Sequence, residues 1–235
     1  MTASVADDKT EVTKWTYNTK IPSYGATGWW DKSAYKEGMV LGDIWGLQFD
    51  RFLTEDDFNA DGSLKAGLPD QTKVFPAGYQ FAPGDVLYKD LDNNGEIVKQ
   101  TNTNDKGDLS VIGNALPRLQ FGLNLDAAWK GFDISMFFQG VAKRKLWAAG
   151  NQVLPGFTTG EPFYKGAEDY WTPENTDAFY PRPMDYKQSA SGNYSVNDRY
   201  LLNMAYLRLK TFTVGYSLPK VWLSKFKVQG LRCLF

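Results

Sequence analysis

The sequence predicts an all-β, antiparallel fold, and three observations carry that expectation. Residues alternate between an apolar and a mostly polar face along two segments between Leu119 and Val141, separated by a two-residue turn. Turn formers are plentiful, with 22 Gly and 11 Pro in 235 residues. Aromatic residues reach 15%, which is high for an ordinary soluble domain.

Taken in order, residues 2–17 alternate loosely, with Val5, Val12, Trp15 and Tyr17 set among Asp, Lys and Thr. They predict a hairpin or one long polar strand. Residues 21–40 are rich in Gly, Tyr and Trp and close on Glu37-Gly38. Met39 to Phe52 is apolar enough for one strand or two. Thr54 followed by three acids predicts an N-capped short helix, and Asp61-Gly62 a turn. Residues 63–118 hold few periodic segments and are expected to be loop.

The hairpin follows. Leu119, Phe121, Leu123, Leu125, Ala127 and Trp129 share one face, while Gln120, Gly122, Asn124, Asp126, Ala128 and Lys130 share the other. After Lys130-Gly131 the pattern resumes, with Phe132, Ile134, Met136 and Phe138 opposing Asp133, Ser135, Phe137 and Gln139. Residues 142–200 form a second long irregular stretch with Leu154-Pro155-Gly156, Trp171-Thr172-Pro173 and Tyr180-Pro181-Arg182-Pro183. Ala205 to Leu218 is the next strand. Its parity slips near Lys210-Thr211, between Leu207 and Leu209 on one side and Phe212, Val214, Tyr216 and Leu218 on the other, which a β-bulge would explain. Pro219 ends it, Val221 to Lys225 predicts one helical turn, and Lys227 to Phe235 starts another strand.

Each hairpin arm is about ten residues, the length with which a tilted strand crosses a bilayer. A soluble sheet with one buried face gives the same period, so periodicity leaves both open. Trp129, Phe132, Tyr216 and Trp222 sit at strand ends beside turns, where an interfacial girdle would place them and where they would equally cap a soluble core. An irregular connection of about 60 residues is far longer than compact soluble domains use. Outer-membrane barrels carry long external loops and short periplasmic turns, and placing Lys130-Gly131 on the periplasmic side sends both long connections outward.

Composition excludes several function classes. With 26 basic against 27 acidic residues, there is no field to attract nucleic acid. Histidine is absent, which removes Ser-His-Asp and Cys-His catalysis and imidazole zinc sites. The single cysteine, Cys233, forms no internal disulfide and no metal cluster. Acid pairs such as Asp56-Asp57 and Glu168-Asp169 fit a helix start and a solvated loop, and no Gly-rich phosphate loop follows a strand. The chain is therefore not expected to be an enzyme. No run approaches the roughly 18 apolar residues of a membrane-crossing helix. Met1 to Lys14 is too polar to serve as a secretory signal, which sits badly with a barrel that needs export.

One loop has metal-binding spacing. Asp90, Asp92 and Asn94 occupy positions 1, 3 and 5 of an EF-hand-type loop, Gly95 position 6, and the Glu96 carbonyl position 7, which suits a hard cation such as Ca²⁺. Position 12 is Thr101 where a bidentate acid is wanted, so Asp105 or Asp108 would have to close the shell. The other interpretation is a solvated Asn-Gly turn. Bound Ca²⁺ would be structural, since nothing nearby activates a water.

Several segments together resemble the C-terminal barrel region of the SusC/RagA family of TonB-linked outer-membrane transporters. They are Pro83 to Asp90 leading into the carboxylate loop, Gly107 to Asn114 with Pro117-Arg118, WKGFDISMFFQGVAKR (129–144), YWTPENTDAFYPRP (170–183) and YLLNMAYLRLKTFTVGYSLPKVWL (200–223). Their order and approximate spacing match as well. The resemblance implies part of a large antiparallel transmembrane β-barrel of about 22 strands with a plugged lumen. It implies TonB-driven import of oligosaccharides or peptides and a SusD-like surface lipoprotein as lid. Residues 1–235 would supply five or six strands with long extracellular loops, incomplete at both ends, without signal, plug or last strands. Odd positions 119–129 would then face outer-membrane lipid, and Gln120, Asn124 and Asp126 the lumen. Trp29, Trp30, Trp147 and Trp171 would suit sugar stacking, with loop packing as the alternative for each. The rival from another class is a secreted, calcium-stabilised β-sandwich that binds glycans, which should show short strands at regular spacing. A secreted glycan hydrolase would need a paired-acid site that the sequence does not reveal.

Overall fold

The computed structural model describes residues 1–15, 37–99, 107–148, 150, 152–156, 164–184, 192–224 and 229–235. Among these, strands run in chain order as β1 (Thr2–Ala6), β2 (Asp43–Gly46), β3 (Phe49–Phe52), β4 (Val86–Tyr88) and β5 (Ser110–Asn114). They continue as β6 (Arg118–Trp129), β7 (Phe132–Lys143), β8 (Lys145–Leu146), β9 (Leu202–Asn203), β10 (Tyr206–Ser217) and β11 (Arg232–Leu234). The fold is all-β and antiparallel in its sheets, as expected. The chain divides into two units.

The first unit comprises Met1–Lys9, Leu116–Arg144 and Asn203–Phe235. It is a five-stranded antiparallel sheet in the order β1-β6-β7-β10-β11. β6 and β7 pair from Trp129↔Phe132 to Arg118↔Lys143. Their turn places Lys130 at φ 48° and Gly131 at φ 91°, both left-handed, as a two-residue turn matching strand twist requires. A methyl at Gly131 would lie 2.9 Å from the Ser217 carbonyl oxygen. Gly131→Ala is therefore expected to destabilise the five-stranded sheet by about 1–3 kcal/mol, read as a lowered urea midpoint; an unchanged midpoint would refute the turn geometry.

The parity slip in β10 is a bulge at Lys210: Leu209 pairs with Phe138, and Thr211 with Phe137. One residue is stepped over, so Leu207 and Leu209 return to the face that carries Phe212, Val214 and Tyr216. Of residues 2–15, Thr2–Ala6 form β1, paired from Thr2↔Asn124 to Ala6↔Gln120, and Glu11 makes an isolated antiparallel bridge with Val40; Tyr17 lies outside the described residues. Pro219 caps a four-residue helix, α1 (Lys220–Leu223), and β11 pairs Leu234 with Gly215.

The second unit comprises Thr10–Ala115 and Lys145–Leu202. Here the expectation of loop needs correcting: these segments contain β4 and β5 and build two apolar clusters. One gathers Leu47, Phe52, Val86, Tyr88, Ile97 and Trp171. The other gathers Ile44, Trp147, Leu154, Tyr194, Tyr200 and Leu201. Met39 to Phe52 yields two strands, β2 pairing with β5 and β3 with β4. Thr54 caps a 3₁₀ turn, Glu55–Asp57, with its N–H donating to Asp57 Oδ2 at 2.8 Å.

Side chains do the work of missing strands in this unit. β4 is buried throughout, yet among the described residues only β3 pairs with it. On its other edge Gln71 donates Nε2–H to the Val86 carbonyl at 2.7 Å and accepts the Tyr88 N–H at 3.2 Å. Asn193 Oδ1 accepts the Val86 N–H at 2.8 Å. Buried backbone groups must be paired somewhere, and two amide side chains meet that need without a neighbouring strand. Beside them the buried Asp85 accepts from Tyr79 Oη (2.8 Å), Arg182 Nε (2.8 Å), Asn193 Nδ2 (3.0 Å) and the Ala82 N–H (2.9 Å). Gly84, at φ 91°, lets the Trp171 ring lie directly on the chain, 2.5 Å from where a Cβ would stand.

Candidate functional site

The five-stranded sheet has two faces of opposite character, fixed by the register. On one lie Leu123, Leu125, Ala127 and Trp129 of β6, opposite Phe138, Met136, Ile134 and Phe132 of β7. β10 continues it with Leu209, Phe212, Val214 and Tyr216. This face is exposed where a soluble sheet would bury it: Trp129 is 70% exposed, Leu207 64% and Phe212 55%. A contiguous apolar surface of this kind demands an apolar partner. The opposite face carries Gln120, Asn124, Asp126, Asp133, Ser135, Gln139 and Thr213. On it Ser135 Oγ donates to Asp126 Oδ1 at 2.7 Å, and Arg232 pairs with Asp133.

β6, β7 and β10 are each 12 residues long. At about 3.3 Å per residue that is about 40 Å, which a tilt of about 45° projects to about 28 Å, close to a bilayer's hydrocarbon thickness. Aromatics gather at the turn end, as the sequence predicts. Phe132 and Tyr216 pack with ring centroids 4.4 Å apart, Lys130 Nζ lies 4.8 Å from the Trp129 ring, and Trp222 of α1 is exposed.

The carboxylate loop lies in the second unit. Asp90 accepts the Asn93 N–H at 2.7 Å and the Gly95 N–H at 2.8 Å, closing a tight turn in which Asn93 and Gly95 have positive φ. Buried Asp108 accepts the Leu91 N–H and the Val98 N–H, each at 2.8 Å, which folds it back onto the loop. One oxygen from each of Asp90, Asp92 and Asp108 falls within 4.8 Å of the others. Asn94 turns its Nδ2 to Asp92 Oδ2 at 3.0 Å and accepts the Glu96 N–H at 2.7 Å, whereas the Glu96 carboxylate pairs with Lys73. Three of the five anticipated ligand residues thus converge through their carboxylates. Thr101 and Asp105 lie outside the described residues.

The charges in this loop are set against one another. Lost hydration raises the Asp90 carboxyl, but the N–H groups of Gly95 and Asn93 outweigh it and hold it below the ordinary value. Asp92 is pushed above it by lost hydration, with the negative charges of Asp108 and Asp90 adding to the rise despite the Asn94 N–H.

Two of the four tryptophans suited to sugar stacking are spent on packing. Trp147 is 3% exposed and Trp171 6%, one in each apolar cluster, so neither offers a ring face to a ligand. Trp29 and Trp30 lie outside the described residues. Sequence reasoning also passed over a tyrosine-lined cleft between residues 155 and 194, because its walls come from separate turns.

No protein-family model matches the chain. Over 203 residues, 84% of its length, it is 28% identical to TonB-dependent receptor P3 of Formosa agariphila. Over 145 residues, 60% of its length, it is 34% identical to TonB-dependent receptor P26 of the same organism. The chain spans 17% and 13% of the lengths of these relatives. Among solved structures it is similar to the RagAB peptide importer in its closed-closed state, with 15% identity, a TM-score of 0.46, and coverage of 85% of this chain and 19% of that one.

Proposed function

We propose that this chain, which belongs to the TonB-dependent receptors, forms part of the wall of an outer-membrane β-barrel that imports a nutrient with TonB energy. The observation that carries the proposal is the exposed apolar face of three 12-residue strands, closed at one end by aromatics. Lipid is the partner such a face requires, and the polar face with Gln120, Asn124 and Asp126 would line the lumen. The sheet leaves the outer edges of β1 and β11 unpaired among the described residues, and closure needs further strands, since lipid tolerates no open edge. Placing Lys130-Gly131 at the periplasmic side sends the long connections before and after the hairpin outward. Oligosaccharides or peptides are the cargo class proposed, with a SusD-like lipoprotein as external partner, both resting on the resemblance to the SusC/RagA type.

The test is extraction of the intact receptor from a cell envelope. It should resist urea and leave the membrane only with detergent. Release by urea alone would sink the barrel and favour the β-sandwich, although a sandwich needs a second sheet over the apolar face and none covers it among the described residues.

The carboxylate loop serves this function as a brace. Ca²⁺ held by Asp90, Asp92 and Asp108 would neutralise three crowded carboxylates that fix the surface segments. Adding Ca²⁺ to the chelator-stripped receptor should raise its thermal midpoint, by the equivalent of about 2.7 kcal/mol at a hundredfold excess over Kd. Asp92→Asn should cancel most of that increment, and a midpoint indifferent to Ca²⁺ would remove the metal from the account.

A further inference from the structure

The turn between β4 and β5 contains the sequence's one Asn-Gly pair, Asn94-Gly95, and both residues are exposed. Such a pair is chemically labile. The backbone nitrogen that follows an asparagine can attack the side-chain carbonyl, and a glycine, with no Cβ, leaves that approach open. Gly95 sits at φ 87°, with no atom within 4 Å of where a Cβ would stand.

The fold places a partner on each atom whose bonding would change. The Gly95 N–H donates to Asp90 Oδ2 at 2.8 Å. A carboxylate on the proton of the attacking nitrogen is a general base already in position. Asn94 Oδ1 accepts the Glu96 N–H at 2.7 Å. Negative charge grows on that oxygen when the nitrogen adds, and a fixed N–H stabilises it as an oxyanion donor does. Asn94 Nδ2, on the departing side, donates to Asp92 Oδ2 at 3.0 Å, which holds the amide in one orientation. The other exposed X-Gly turn of this unit is built differently. At Asp61-Gly62 the glycine N–H donates to the Asn59 carbonyl at 2.9 Å, an acceptor that takes up no proton.

We propose that Asn94 is a self-modification site, at which the loop promotes its own deamidation. The Gly95 nitrogen bonds to Asn94 Cγ and gives up its proton to Asp90. The Cγ–Nδ2 bond then breaks, and ammonia leaves with a proton relayed from Asp90 through water, closing a cyclic imide. Water opens the imide at either carbonyl, leaving aspartate or isoaspartate at position 94. The balance needs only water. Either product rewires the turn. Aspartate replaces the donor to Asp92 with a carboxylate, adding like charge beside Asp90, Asp92 and Asp108. Isoaspartate lengthens the backbone by a methylene and draws the Asp90–Gly95 and Asn94–Glu96 bonds out of register. The change is irreversible, so the loop of an old molecule differs from that of a new one. The inference stands on these bonds and is independent of whether the loop holds a cation.

The experiment incubates the full-length, detergent-purified receptor for days at neutral pH in oxygen-labelled water, with a chelator so that no cation competes for Asp90. Peptide mapping by mass spectrometry follows each asparagine. Asn94 should lose its amide and gain labelled oxygen, while the exposed Asn59, Asn93 and Asn175 keep theirs. Conversion should run severalfold faster in the folded receptor than in a synthetic peptide of residues 88–99, which has the same Asn-Gly pair without fixed partners. Asp90→Asn keeps an acceptor for the Gly95 N–H but removes the base, so it should slow conversion severalfold. Conversion in the receptor no faster than in the peptide would overturn the proposal, and so would an Asp90→Asn receptor that converts as fast as wild type or faster. The first comparison uses no variant, so it decides the matter even if Asp90→Asn fails to fold.

Discussion

Leu123→Arg is expected to destabilise the membrane-inserted receptor by about 2–4 kcal/mol, while Asn124→Arg, one residue along the same strand, should change it by less than about 1 kcal/mol. The two positions differ only in which way the pleat turns them. Leu123 sits midway along β6, opposite Phe138, which in turn faces Leu209 of β10. A guanidinium there would lie in hydrocarbon at the depth where burying charge costs most. Asn124 faces the other way, opposite Phe137 and beyond it Thr211, where an arginine would meet water in a lumen. Urea unfolding of both variants in lipid vesicles reads the difference directly. Equal costs would mean that the two faces are not lipid and water, and a larger cost at Asn124 would invert the barrel assignment.

The second large effect lies away from the sheet. Asp85→Ala should cost the second unit about 3 kcal/mol, at the lower end of what breaking a buried ion pair costs. Four donors converge on this carboxylate, from Tyr79, Ala82, Arg182 and Asn193. Arg182 retains partial contact with water and can rehydrate, which moderates the loss. Asn193 and the Ala82 N–H are left to find other partners, and Asn193 also holds Val86 of β4. Amide hydrogen exchange of the intact receptor should therefore accelerate at Val86 and Tyr88, with the β6–β7 hairpin unchanged. Unaltered exchange at β4 would show that Gln71 alone suffices to hold that strand.

How much of this was legible in the sequence depends on the range of the interactions. The hairpin was readable because its period repeats over two 12-residue arms around a two-residue turn. Even the bulge showed itself, as a slip in parity at Lys210. The second unit was readable only in part, at Met39 to Phe52 and at the Thr54 cap. Its strand β4 is three residues long, too short for a period, and its order comes from side chains that bond backbone 107 positions away, as Asn193 does to Val86. Spacing pointed to Asp90 and Asp92, but only the fold shows that the backbone N–H groups of Leu91 and Val98 draw Asp108 back to them. For Trp147 and Trp171 the residue type suited a ligand, whereas burial is decided by partners that no local pattern encodes.

The second unit is assembled from two stretches of chain with the β6–β7 hairpin between them. That connectivity imposes an order in time. Before the hairpin zips, bringing Asp85 to Arg182 or Val86 to Asn193 means closing a loop of about a hundred residues, at an entropic cost that grows with the logarithm of loop length. Once the arms have paired, the chain ends they deliver are already neighbours, and Gly113 comes to rest against the Lys145 side chain. The hairpin is local and quick to form, on the order of microseconds for an isolated pair of strands. Substitutions that slow its closure, at Lys130 or Gly131 above all, should delay maturation of the second unit without touching a single residue in it.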